Sequence, residues 1–218
     1  MLNHISAVVF DMDGVLIDSH PAHQAAWHDF FSSLGIELSA QQLSFILDGR
    51  TRVEILRHFL GNLPDPELES YGRRKDEIFR SKETLIQPVP GILQFLKYLR
   101  EAGIALAVAT SASEIRTLAT IERMGLADSF EAVITASDVA AGKPDPMVYG
   151  LACERLGVPP ARALAFDDAP AGVISACRAG LRCIGVSSNG LGQRLLNSGA
   201  ERVIPDFSNF AREVPEVG

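Results

Sequence analysis

The sequence predicts a doubly wound α/β protein carrying a helical insert. Three observations lead there. From about residue 86 onward, short apolar runs of strand length alternate with segments of helical period. One more strand of the same kind, Val8-Val9-Phe10, stands far upstream. Between them, residues 19 to about 84 hold no convincing strand. Strands alternating with helices build right-handed βαβ units and a parallel sheet covered on both faces. Fully apolar strands fit that double burial. The expected layout is a Rossmann-like core from 1–17 and 86–218, with a small all-helical domain at 18–85 inserted after the first strand.

The elements follow in order. The first strand ends in Asp11-Met12-Asp13-Gly14. Ser19 is placed to cap a helix with Pro21 in its first turn, running to Leu34 and stopped by Gly35. Ser39 starts a second helix through Leu47, Thr51 to Leu60 reads as a third, and Asp65 to Lys82 as a fourth. Ile92, Leu93, Phe95, Leu96 and Leu99 repeat at helical spacing within 90–102, and Gly103 ends the run. Strands are expected at 104–109, 132–135, 163–166, 181–186 and 202–204. Helices are expected at 113–124, 145–156, 170–179 and 190–198.

Composition narrows the function. The chain has 218 residues and a formal net charge of −7, with no basic stripe, so nucleic acid is not an expected partner. No apolar stretch approaches the roughly 18 residues of a membrane helix. The start, Met1-Leu2-Asn3-His4-Ile5, has neither the charged nor the apolar region of a signal peptide. Cys153, Cys177 and Cys183 lack CxxC spacing and are odd in number. They read as reduced core thiols of a cytoplasmic protein.

Asp11 and Asp13 supply the strongest chemical signal. Residues i and i+2 of a strand point the same way. Two acids together repel, and burying them is costly unless a cation compensates. A divalent metal is the natural partner, and a carboxylate beside it can act as a nucleophile toward phosphorus. A polar strand-to-loop turn is the plain alternative for this pair alone. Three later strand ends argue against it. Strand 104–109 runs into Thr110-Ser111, the loop after 132–135 carries Gly142-Lys143-Pro144, and strand 163–166 ends in Asp167-Asp168. Hydroxyls and helix-start N–H groups hold phosphoryl oxygens. A lysine adds a compact cation, and a second acid pair completes a hard oxygen site. Ligands in such folds bind at the carboxyl ends of the strands, where all four candidates fall.

These four motifs, in this order, resemble the haloacid dehalogenase-like superfamily, and the resemblance covers nearly the whole chain. Its closest branch is similar to β-phosphoglucomutase and the small-molecule phosphatases, which makes the insert resemble a cap domain. The resemblance implies Asp11 as the nucleophile that forms an aspartyl-phosphate. It implies Asp13 as general acid and then base, with its backbone carbonyl on the metal. Asp168 would ligate Mg²⁺ directly and Asp167 through water, while Thr110, Ser111 and Lys143 bind the transferring phosphoryl group. Mn²⁺ would also suit the oxygen donors. In the insert, His23 and Trp27 resemble a hinge pattern of that branch, and Gly49-Arg50-Thr51-Arg52 resembles a substrate-gripping loop, pointing to Arg52. Arg80 falls where the mutase has a cap lysine. Arg73-Arg74-Lys75 reads as a solvated face, and His20 and His28 as solvated or core-edge side chains.

The expected activity is Mg²⁺-dependent hydrolysis of a small phosphate ester, such as a sugar phosphate, by a monomer. The alternative is a β-phosphoglucomutase-type phosphomutase. Departures from the mutase favour the phosphatase. The second motif reads Thr-Ser-Ala-Ser-Glu without the lysine and asparagine that follow in the mutase, and the fourth reads Asp-Asp-Ala-Pro rather than Glu-Asp-Ser.

Overall fold

The computed structural model describes residues 4–47, 51–188 and 190–209. The chain divides into two compact units, one made of 1–17 with 88–218 and the other of 18–87.

The first unit is a parallel α/β sheet. Its strands are β1 (Ala7–Phe10), β4 (Ala105–Ala109), β5 (Ala132–Ile134), β6 (Ala163–Asp167), β7 (Arg182–Val186) and β8 (Arg202–Ile204). Their order is β5-β4-β1-β6-β7-β8. Two short strands, β2 (Ile17–Asp18) and β3 (Gln87–Pro88), pair where the chain passes between the units. The sequence showed no signal for them, since two residues are too few for any period.

β1 is central, and Phe10 lies level with Val108 of β4 on one side and Phe166 of β6 on the other. The chain reverses its winding direction at this strand, which opens the crevice that doubly wound sheets use for ligands. β1 and β6 are buried along their whole length, because helices cover both faces. One face packs Val9, Ala107, Ala109 and Ala165 with Val148, Tyr149 and Ala152. These small strand residues let the helix approach closely. The other face is aromatic: Phe10 stacks on Phe166 at 5.4 Å, and Phe95 stacks on Phe207 at 5.3 Å. Phe95 belongs to α5 (Ile92–Glu101), so the helix is held to this face through its ring.

Four helices make the second unit: α1 (His20–Ser32), α2 (Ala40–Leu47), α3 (Arg52–Leu60) and α4 (Asp65–Ser81). Their buried stripes bring Trp27, Phe30, Phe31, Ile55, Leu56 and Leu68 into one cluster. A capping box starts α3: the Glu54 N–H donates to the Thr51 hydroxyl, and the Thr51 N–H to the Glu54 carboxylate at 2.8 Å. The remaining helices of the first unit are α6 (Glu114–Arg123), α7 (Met147–Leu156), α8 (Pro170–Arg178) and α9 (Gly192–Asn197). Helices α7 and α9 each begin two residues later than the sequence predicts.

Two expectations need correction. Cys153 and Cys183 are buried free thiols, but Cys177 is exposed, because it faces outward on α8. Lys75 is buried, whereas Arg73 and Arg74 are exposed as expected. Among the described residues, no helix is long and apolar enough to cross a membrane.

Candidate active site

The first unit gathers its chemical residues at the carboxyl ends of β1, β4 and β6. Asp11 follows the last residue of β1, and its N–H donates to the Phe166 carbonyl at 2.9 Å. This bond continues the parallel ladder and sets Asp11 beside Asp167, the last residue of β6. Thr110 follows β4, is buried, and is fixed by its N–H to the Ile134 carbonyl at 2.9 Å. Its hydroxyl accepts from the Ala112 N–H at 3.1 Å, which shapes the turn into α6. Ser111 lies next to it and is exposed.

Lys143 binds the cluster together. Its Nζ donates to Asp11 at 2.6 Å and to Asp167 at 2.7 Å, with the lysine side chain only 8% exposed. Burial by itself would lower the ammonium's pKa, but the Asp11 and Asp167 carboxylates outweigh it and hold the group firmly charged. Tyr149 completes the anchor: its hydroxyl donates to Asp167 at 2.6 Å, and the Lys143 ammonium lies 4.9 Å from its ring centre. Asp167 also accepts from the Ala169 N–H at 2.9 Å, at the start of α8.

Two glycines make room for the acids. A Cβ on Gly172 would stand 1.9 Å from Asp167, and one on Gly14 would stand 2.0 Å from Asp168. Gly14 also has φ +74°, which a side chain would strain. The carboxyls therefore rest directly on backbone.

The electrostatics show why a cation suits the site. Burial pushes the Asp11 carboxyl up to about 7 despite the pull of Lys143, with Asp167 and Asp13 adding to the rise. Asp168 is raised well above the ordinary range, by burial and then by Asp11, Asp167 and Asp13. Four carboxylates thus crowd one strand-end cluster. Among the described residues, no three His, Cys, Asp or Glu side chains form a ready-made metal cage. Mg²⁺ asks for less: it takes one or two carboxylates and keeps several waters. The neighbouring carboxylates Asp11 and Asp168 fit that demand, and the Gly14 and Gly172 cradles leave room for the acids.

Two contacts were not visible in the sequence. The Arg116 Nη2, on the first turn of α6, donates to the Asp13 Oδ1. Tyr149 was hidden because an aromatic residue at helical spacing reads as core. A Lys-Pro-Asp-Pro segment one turn before it was the available clue.

The second unit holds its own polar pair. The buried Lys75 Nζ lies 3.0 Å from the His23 Nδ1, and 5.3 and 4.7 Å from the ring centres of Trp27 and Phe79. His23 stacks on Phe79 at 4.3 Å. The lysine beside His23 is therefore Lys75, and Arg80 is exposed. On α4, Lys75 and Phe79 are four residues apart and share the buried face, while Arg80 points away. Arg52 crosses Gly72 and pairs with Asp76 at 2.6 Å, with its side chain 45% exposed. Gly49 and Arg50 of the same loop lie outside the described residues. His20 and His28 are partly exposed, each near an aspartate at 3.4 Å.

Comparison with known proteins places this geometry among relatives. A family model described as haloacid dehalogenase-like hydrolase matches residues 5–180. Hexitol phosphatase A of Escherichia coli is 33% identical over 180 residues, covering 83% of this chain and 82% of that protein. Beta-phosphoglucomutase of Bacillus subtilis is 30% identical over 219 residues, covering 96% and 93%. The crystal structure of CbbY from Rhodobacter sphaeroides in complex with phosphate superposes with a TM-score of 0.76 at 30% identity, covering 94% and 96%.

Proposed function

The chain belongs to the haloacid dehalogenase-like hydrolases, and from that premise we propose that it is a Mg²⁺-dependent phosphatase of small phosphate esters, sugar phosphates foremost. The observation that carries the reading is the Lys143 clamp on Asp11 and Asp167 at the switch point of the sheet. Phosphoryl transfer needs positioning and charge neutralisation around an in-line displacement. A buried, permanently charged lysine touching the nucleophile candidate supplies both. The names of the relatives agree, since both a phosphatase and a phosphomutase transfer phosphoryl groups.

In this reading an Asp11 oxygen attacks phosphorus, and the P–O bond to the leaving group breaks. Asp13 gives its proton to the departing oxygen. Water then attacks the phosphorus of the aspartyl-phosphate, Asp13 takes the water's proton, and phosphate leaves Asp11 restored. Lys143, Thr110 and Ser111 hold the phosphoryl oxygens. Asp11, Asp168 and the Asp13 carbonyl, with Asp167 through water, would hold Mg²⁺, which would supply positive charge to offset that of the transferring group. Asp167 also keeps Lys143 in place. His23 and Arg52 of the helical unit, the cap, act in choosing the leaving group. The phosphatase is favoured over the mutase by the second motif, where Glu114 replaces the lysine.

The deciding assay follows free phosphate and glucose 6-phosphate together, with Mg²⁺, on a panel of phosphate esters. The panel includes β-glucose 1-phosphate primed with glucose 1,6-bisphosphate. Phosphate release without isomerisation, abolished by Asp11→Asn, is expected. Glucose 6-phosphate appearing faster than phosphate would overturn hydrolysis in favour of the mutase.

A further inference from the structure

We propose that the Tyr149 hydroxyl is a positioning group for the phosphoryl site: by pinning Asp167 it fixes where Lys143 presents its charge to the phosphoryl group. This rests on the phosphatase reading for the identity of the group that Lys143 meets. Tyr149 lies on α7 and is fully buried. Its hydroxyl donates to Asp167 Oδ2 at 2.6 Å, and the Lys143 Nζ donates to the same oxygen at 2.7 Å. The hydroxyl and the ammonium are 3.4 Å apart. The other carboxylate oxygen, Oδ1, accepts from the Ala169 N–H at 2.9 Å. Both ends of the Asp167 carboxylate are therefore held, one by a side chain of α7 and one by the backbone at the start of α8.

A lysine needs such a partner. Its ammonium is a compact charge on a flexible four-carbon stem, so its acceptors decide where it sits. One acceptor is Asp11, at 2.6 Å. That residue has to turn an oxygen toward phosphorus, so it cannot also be the permanent anchor. The anchor is Asp167, and it is only as fixed as its own contacts. Held at Oδ1 alone, the carboxylate would be free to turn about its Cβ–Cγ bond and carry the ammonium with it. The Tyr149 hydroxyl blocks that turn. Stabilisation of a transferring group depends on such preset placement of charge. The ring adds a separate constraint, since the ammonium lies 4.9 Å from its centre. Phenylalanine would keep the ring and its packing and remove only the bond to Asp167, so the two contributions can be tested apart.

Tyr149→Phe should lower kcat/KM for p-nitrophenyl phosphate by about tenfold to a hundredfold, the scale of a small misplacement at a reacting centre. It should also weaken the binding of inorganic phosphate in the presence of Mg²⁺ by several-fold in calorimetry, while Mg²⁺ alone binds as to wild type. Tyr149→p-aminophenylalanine restores a donor and should recover most of the phosphate affinity without reaching wild type. Wild-type phosphate affinity and kcat/KM in Tyr149→Phe, whatever its melting temperature, would make the hydroxyl merely structural and overturn the proposal. Loss of Mg²⁺ binding would overturn it too, because the hydroxyl would then act on the metal rather than on Lys143. Should Tyr149→Phe not fold, p-aminophenylalanine against wild type decides: weaker phosphate binding supports the role, and equal binding sinks it. If wild type releases phosphate from no ester, the phosphatase reading fails while phosphate binding still tests the hydroxyl. Affinity lost in Tyr149→Phe would then uphold its role, and no phosphate binding in wild type would end it.

Discussion

At the scale of single residues, the site is a negotiation between crowded acids and few cations. Lys143 is buried between two carboxylates, so removing it strands both. Breaking a buried ion pair from one side typically costs about 3–5 kcal/mol. Lys143→Met should therefore abolish turnover and lower unfolding stability by about that amount, as measured in urea. Asp168 presents the opposite case. Its charge is opposed by burial and by three neighbouring acids. Neutralising it should relieve that repulsion, so metal-free Asp168→Asn should melt above metal-free wild type. Added Mg²⁺ should then raise the melting temperature of wild type and leave the variant almost unmoved. Thermal scans with and without the ion check both halves. An equal Mg²⁺ response in the two proteins would exclude Asp168 from the metal site.

At the scale of elements, the loops between strands and helices are held by short side-chain bonds that sequence patterns only half disclose. The turn after β5 is fixed by Asp138, which accepts from the Thr135 N–H and hydroxyl, both at 2.8 Å. The backbone bond first, and the hydroxyl second, lower the Asp138 pKa below its ordinary value of 3.8. A depressed carboxyl contributes stability above its unfolded pKa and loses it as pH falls through the folded one. Asp138→Asn should therefore destabilise the protein at pH 7, and the difference from wild type should be smaller once the pH has fallen below 3.8. Urea unfolding in the two ranges checks this. In the helical unit, Thr51→Ala removes the cap of α3 and should cost about 1 kcal/mol. That loss should appear in melting without changing turnover of p-nitrophenyl phosphate.

The strands, helices and four strand-end motifs were legible because each has a period or a fixed spacing. What escaped was set by distance in three dimensions. Arg116 meets Asp13 across 103 positions of sequence, and Lys75 meets His23 across 52. Neither pairing has a local signature, and Lys75 sat in a charged run that resembled a solvated face. The same limit hid the Tyr149 hydroxyl, whose partner Asp167 belongs to another strand.

For the whole molecule, the position of β1 has a consequence for how the chain is made. Ala7 is paired with Ala105 and Ala163, so the earliest strand of the sheet is also its centre. Ribosomes add roughly 5–20 residues per second, so β6 emerges about 10–30 seconds after β1. Throughout that interval an apolar strand waits without its second neighbour, and the helical segment between them is complete about halfway through it. Order in the nascent chain therefore runs opposite to order in the sheet. The insert can form first by local contacts, and the catalytic centre assembles last. A synthesis pause before Ala163 would leave β1 open to pairing with another chain, so chaperone dependence should be greatest for ribosome-stalled intermediates of that length.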